Sequence, residues 1–396
     1  MKQIKKYMPT KMVAAAFALA AGLCTLFVTG CDFSANPSDT PSTVSVASVK
    51  GGRMDAAELF TQRDLTQIAD TSHAERITVV NGQEIVITKA GIYVVNGKAS
   101  DVTIVIKAKA EDTVQIVLDN VSLSNQDAPC IYSQKANKVF VTLVGDNSFF
   151  VNNRFAADVS SRTDGVIFSR TDLTCNGTGS LQITSPENGI VCKDHLKITG
   201  GIYSIHAASK AIEANDSVRI ADGTFTLIAG TDGIHAENSD DDTLGYLYIG
   251  GGHFTVQAGD DGLHATSVIQ IDRGELDIVA GEGMEGTDIQ INAGTLRIHA
   301  RDDGINAAHK SKSYTPTAEI NGGSLTILMD DGDGDAIDSN GNIIINGGTI
   351  DITGASSFDC TGTAWFKGGK ITVNGQPLDT IPNQAADGPH FDVSSH

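Results

Sequence analysis

The chain has 396 residues and a formal net charge of −20, with 19% charged and 6% aromatic residues. So acidic a chain lacks the Lys and Arg needed to neutralise phosphates, which excludes nucleic acid as a partner. It also repels acidic polysaccharides unless a cation intervenes.

The N-terminus reads as a targeting segment. Lys2, Lys5, Lys6 and Lys11 precede an apolar run from Met12 to Val28, which ends in Val28-Thr29-Gly30-Cys31. The run is too short and wrongly flanked for a stable spanning helix. It looks like a bacterial lipoprotein signal over residues 1–30, cleaved before a lipidated Cys31. The expected location is therefore the bacterial cell envelope, with a lipid anchor at Cys31 and the leaflet left open. Cleavage removes four lysines and no acids, taking the net charge from −20 to −24. Residues 31–54, rich in Ser, Thr and Pro, read as a flexible tether. Asp55 to Ile68 is expected to form a short helix that caps one end of the domain.

From Ile77 onward the pattern changes to short alternating strands, such as Ile85–Ile87, Val102–Ile106, Val114–Leu118 and Val139–Leu143. A glycine then recurs at Gly201, Gly223, Gly252, Gly274, Gly294, Gly323, Gly348 and Gly369. Each is followed by alternating apolar residues, as in Phe225, Leu227, Ala229 or Leu296, Ile298, Ala300. A near-constant period of this kind marks a stack of repeats that bury their apolar faces only against one another. About three short strands per repeat predict an all-β chain, a right-handed parallel β-helix over residues 55–380 with a tail at 381–396. Two longer repeats carry insertions, Glu237 to Leu247 and Ala308 to Ala318, expected to share a corner and mark a binding face. Cys130, Cys175, Cys192 and Cys360 lack CxxC spacing and read as buried small hydrophobes. Asn292, Asn321 and Asn346 share one repeat position and predict an amide ladder that satisfies turn backbone.

Aligning the Asp-Gly-Ile segments yields two columns. The first holds Asn188, Lys210, Asp232, Asp261, Glu282, Asp303 and Asp335; the second holds Val191, Glu213, His235, His264, Glu285, Asn306 and Asp338. Asp260, Asp302 and Asp333 thicken the cluster. Carboxylates stacked at a strand spacing of about 4.8 Å repel one another. A hard divalent cation relieves that repulsion, and calcium tolerates such irregular oxygen sets better than magnesium. The competing reading is a solvated acidic edge that keeps the stack soluble. Asp331-Gly-Asp333-Gly-Asp335 is not an EF-hand loop, since Ala336 stands at the glycine position and Asn342 at the bidentate glutamate position. His235 and His264 read as surface polar residues or sugar contacts, with Arg297 and Tyr314 as further candidate sugar contacts.

Several stretches together resemble a known family. They are Ala90-Gly-Ile-Tyr93, Gln115-Ile-Val-Leu-Asp-Asn-Val-Ser122, Glu282-Gly-Met-Glu-Gly-Thr287 through Arg301-Asp-Asp-Gly-Ile-Asn-Ala307, and Asp333-Gly-Asp-Ala-Ile-Asp-Ser-Asn340. The chain is similar to bacterial β-helical carbohydrate-binding proteins of pectate-lyase-like fold, whose members bind calcium, cellulose and polygalacturonate. The resemblance implies that Glu282, Glu285, Asp302, Asp303 and Asn306 sit at calcium positions. Asp333, Asp335, Asp338 and Asn340 match a later motif, from which Ala336 departs. The expected function is calcium-assisted, non-catalytic binding of an acidic polysaccharide by a monomer. The alternatives are a lyase using calcium with Arg301 or Arg297 as base, and an adhesin or structural spacer.

Overall fold

Period-two alternation is realised strand by strand. In Thr224–Ala229 the residues Phe225, Leu227 and Ala229 are buried while Thr224, Thr226 and Ile228 are exposed. The computed structural model describes residues 43–156, 162–332 and 334–382. The signal segment, Cys31, Asp333 and residues 383–396 of the tail lie outside them.

Each regular repeat supplies three strands, and each strand pairs in parallel with its counterpart one repeat on. In one repeat these are Val268–Ile271, Glu275–Ala280 and Glu282–Gly286. The first pairs with Asp288–Ile291, the second with Thr295–Ala300 and the third with Ile305–Ala307. Three parallel ladders result, and the third holds twelve strands from Glu84–Ile87 to Ser356–Cys360. Among the described strands the exception is the last pairing, where Lys370–Val373 meets Gln376–Leu378 antiparallel. The chain is thus all-β with parallel sheets, apart from two helices of 4 residues each.

One continuous apolar core joins inward residues of all three ladders. Equivalent residues stack within it: Tyr203 on Phe225 at 5.2 Å, and Phe225 on Phe254 at 4.6 Å, each with an interplanar angle of 8°. Such offset stacks add to the burial energy of the rings. Cys130, Cys175, Cys192 and Cys360 are buried, so the four act as small hydrophobes. Asn321 donates to the Asn292 amide oxygen and Asn346 to that of Asn321, both at 2.7 Å. The expected amide ladder is present, but its amides bond one another and Asp272 or Glu319, not turn backbone.

The recurring glycines have a conformational cause. All eight have positive φ, as at Gly252 with φ 105°, where only glycine enters without strain. A Cβ on Gly252 would also lie 2.8 Å from the Gly223 carbonyl oxygen in the next repeat. Gly252→Ala is expected to cost about 1–3 kcal/mol. A urea titration should show a lower midpoint with unchanged slope.

The N-terminal segment departs from expectation. It forms two single turns, Ala56–Leu59 and Gln62–Leu65, rather than one helix. It caps no end of the stack; it lies lengthwise along the outside of the first ladder. Gln67 donates to the Thr199 carbonyl, Phe60 packs on Tyr248, Met54 bonds Gln270, and Arg53 pairs with Asp288 and Glu319. Residues 43–54, read from sequence as the end of a tether, belong to this strap: Val44, Val46 and Met54 pack with Leu59, Phe60 and Leu65. The physical reason is that the first ladder offers outward Tyr248, Gln270 and Gln290: Phe60 packs on Tyr248, and the strap backbone bonds both glutamines.

Candidate functional site

Strand register in the third ladder places one residue per repeat in a single column, on the face away from the main core. It runs Val86, Val105, Tyr132, Phe168, Val191, Glu213, His235, His264, Glu285, Asn306, Asp338, Asp359. The second column aligned from sequence is the stretch of this column from Val191 to Asp338, four residues short at its start and one at its end. Asp359 was missed because the last repeat is abbreviated; its 21-residue offset from Asp338 was the available signal.

The middle of the column neutralises itself. Burial pushes Glu213 up, but Lys193 at 2.9 Å and Lys210 outweigh it and hold the carboxyl below its usual range. Burial likewise opposes ionisation of Asp232, and His235 at 2.7 Å overcomes it. The rings of His235 and His264 stack at 4.4 Å. His264 is buried, which disfavours its charge, yet Asp261 at 2.6 Å and Glu285 at 3.1 Å raise its pKa to about 9. Lys310 completes the group, 2.8 Å from Glu285. Both rings are buried against the acids beside them, so they are not the exposed surface residues read from sequence.

Among the described residues, the C-terminal end has no such partners. Burial, then the charges of Glu285 and Asp261, lift Glu282 to about 8. Burial, then Asp303, Asp359 and Asp335, lift Asp338 to about 6. Asp303 is raised by burial and by the charges of Asp335 and Asp302. Asp335, Asp338 and Asp359 each bring a carboxylate oxygen within 4.8 Å of the others. Asn306 donates its amide to Glu282 at 3.1 Å, and its own Oδ1 is buried without a hydrogen-bond partner. A buried acceptor left unsatisfied among carboxylates costs about 1–3 kcal/mol. An all-oxygen set of this kind suits hard cations such as calcium; Asp335, Asp338 and Asp359 are close enough to share one ion, and Glu282, Asp303 and Asn306 continue the oxygen set along the neighbouring strands.

Other candidates lie apart from that end. Asp260 and Asp302 are exposed at the corner preceding the strands. Arg297, on the second ladder, is exposed and paired with Glu275 at 3.3 Å and Asp277 at 3.2 Å. Arg301 donates to the Gly259 carbonyl at 2.7 Å. A group unforeseen from sequence, Asp194, His195 and Asp216, gathers at a corner flanking the first ladder.

The two insertions do share a corner. Asp242 accepts from the Ser311 hydroxyl through its carbonyl at 2.7 Å, and its carboxylate accepts from the Lys312 N–H at 2.9 Å and the Ser313 hydroxyl at 2.6 Å. Together they wall a recess of about 580 Å³ over His235 and His264, bordered by Glu237, Asp240, Lys310 and Lys312. Tyr314, in the second insertion, is half-buried.

A family profile described as carbohydrate-binding domain-containing protein matches residues 81–359 and 282–380. The chain belongs to this carbohydrate-binding family. Another carbohydrate-binding domain-containing protein, from Acetivibrio thermocellus, is 29% identical over 195 residues. That match takes in 48% of this chain and 63% of the relative, so the chain spans less than two thirds of the relative's length. Among solved structures, a polysaccharide lyase-like protein from C. thermocellum, studied as a gadolinium derivative, matches with a TM-score of 0.50 and 29% identity. The match covers 56% of this chain and 96% of that one. This carbohydrate-binding domain thus shares its parallel architecture with a lyase-like neighbour.

Proposed function

We propose that the protein binds an acidic polysaccharide, such as polygalacturonate, without cleaving it, along the outward column of the third ladder. Calcium is the assisting ion, shared along Glu282, Asp303, Asn306, Asp335, Asp338 and Asp359, with Asp333 a further candidate from the sequence alone. When bound, it supplies positive charge to which uronate carboxylates attach. The observation that carries the reading is the buried, unpartnered Asn306 oxygen among carboxylates with no cation of their own. Membership of a carbohydrate-binding family supports the sugar partner. His235 and His264 border the recess that the same polysaccharide meets, Tyr314 stands in the second insertion, and Arg297 adds a donor on the neighbouring ladder. The protein acts as a monomer, anchored through Cys31 to the cell envelope. Its strands wind as a right-handed parallel β-helix, the hand that parallel crossovers take almost always.

Pull-down of the full chain on polygalacturonate, with calcium and with chelator, tests this. Binding that survives chelation undiminished removes calcium from the mechanism. The name of the lyase-like neighbour favours a second reading, cleavage with Arg301 as base. Both arginine candidates are engaged by other groups, Arg301 with a carbonyl and Arg297 with two acids. Release of unsaturated uronate products, lost in Arg301→Ala, would replace binding by catalysis.

A further inference from the structure

The two insertions line their recess with opposite charges. The first contributes Glu237, Asp240 and Asp241, and the second contributes Lys310 and Lys312. These charges are also spread along the stack. Glu237 lies 3.0 Å from His235, whereas Lys310 lies 2.8 Å from Glu285. His235 and Glu285 stand two strands apart in the third ladder, about 10 Å at the usual spacing. Asp240 and Lys312 are exposed, and among the described residues neither side chain has an ion-pair partner. Lys310 uses one of its three donors on Glu285 and keeps two.

Between the two ends sits a buried group with a bond to spare. His264 is 8% exposed and lines the recess. Asp261 and Glu285 both meet its Nδ1. Its Nε2 has no partner among the described residues, a state that buried polar side chains rarely keep. Asp242 ties the insertions together through Ser311, Lys312 and Ser313, so the walls need little ordering to receive a ligand.

A ligand of one charge sign suits one end of this recess and is repelled by the other. Among the described residues, no Phe, Tyr or Trp lines it to stack on a sugar face. What matches is a molecule with an ammonium and a carboxylate about 10 Å apart and polar groups between them. An extended tripeptide has both, since its ends lie about 10 Å apart. Its amides offer N–H and C=O, and an imidazole nitrogen can pair with either.

We propose that this recess binds a short peptide with free termini, its ammonium among Glu237, Asp240 and Asp241 and its carboxylate on Lys310 and Lys312. The site needs no calcium and does not rest on the polysaccharide reading. Calorimetry of the full chain with trialanine, in chelator at pH 6.5 where the α-amino group is protonated, tests it. Trialanine should bind. N-acetyl-trialanine and trialanine amide should each bind about tenfold more weakly, the worth of one charge-assisted hydrogen bond. Dialanine, whose ends span about 7 Å, should also bind more weakly. Asp240→Asn should shrink the preference for the free amine over the acetylated one and spare the preference for acid over amide. Lys312→Met should do the reverse. Both residues are exposed, so the fold should tolerate either change. Asp338→Asn, at the acidic end, should leave trialanine binding unaltered. Absence of trialanine binding overturns the peptide site, whatever the polygalacturonate pull-down shows. So do variants that leave the preference at their own end unmoved.

Discussion

Asp64→Ala is expected to destabilise the protein by about 3–5 kcal/mol, the cost of leaving a buried ion group without its counter-charge. Asp64 is fully buried at the start of the second helical turn. Its carboxylate receives Lys138 and Lys197, the latter at 2.9 Å, with the Thr174 hydroxyl at 3.2 Å and the Thr61 N–H at 2.9 Å. Burial alone would push its carboxyl up; Lys138, the Thr61 backbone and Lys197 reverse this and hold it well below the usual carboxylate range. Removing the acid strands two lysines against the first ladder and breaks the capping box of that turn. Asp64→Asn keeps the shape but not the charge, and should cost nearly as much. Urea denaturation, with limited proteolysis between residues 43 and 67, reads the effect; a loss below about 1 kcal/mol would show that the pair contributes little. A carboxyl with a depressed folded pKa adds stability above its unfolded pKa and loses it as pH falls through the folded value. The strap should therefore hold at mildly acidic pH and release only in strong acid.

Without calcium, stability should fall as pH rises from about 6.5 to 9, and calcium should reverse the trend. Folded Glu282, with a pKa of about 8, keeps through this window a proton that the unfolded chain has already lost, while Asp338, at about 6, acts in the same direction mostly below it. Folded His264, at about 9, also holds its proton beyond the unfolded range. In each case the native state binds more protons than the unfolded state, so the slope of unfolding free energy with pH is negative. His195, whose pKa is lowered by burial and by Arg219, acts oppositely, but only below about 6.5. A bound cation competes with the protons on Glu282 and Asp338 and is favoured as they leave. Saturation at a hundred times Kd should add about 2.7 kcal/mol. Thermal midpoints at pH 6, 7 and 8.5, with calcium and with chelator, measure both trends. Asp338→Asn should remove most of the calcium response and also raise the metal-free midpoint at high pH. A midpoint that ignores calcium at every pH would leave the acidic end a solvated edge.

The repeat itself was legible because a stack of this kind writes its register into the chain. Positive-φ glycines and alternating apolar residues recur at one offset, and a column aligned by eye is a column in space. That is why His235, His264, Glu285, Asn306 and Asp338 fall on consecutive strands as read from sequence. What the alignment could not carry was the neutralising partner of each acid. Lys310 arrives from an insertion and Lys193 from the turn after a strand, both outside the aligned positions, whereas Lys210 stood in the first column without its pairing to Glu213 being visible. The uniform acidic ladder therefore divides into a self-paired middle and an uncompensated end. The strap was illegible for a related reason. Its partners lie as many as 266 residues away, as Arg53 does from Glu319, and a short apolar segment such as Leu59-Phe60 does not say which surface will receive it.

The strap also sets an order of events. In a stack of repeats, each unit consolidates against its neighbour, so folding can start anywhere and spread. Residues 43–67 cannot follow that rule, because Arg53 finds Asp288, Gln290 and Glu319 only after those repeats exist. The segment synthesised first is thus completed last, and its docking closes a loop of more than two hundred residues. Such a closure is slow to reach but penalised only logarithmically by its length. Once made, it ties repeats separated along the axis into one cooperative unit, so the array should unfold in a single step where an unstrapped stack would fray repeat by repeat.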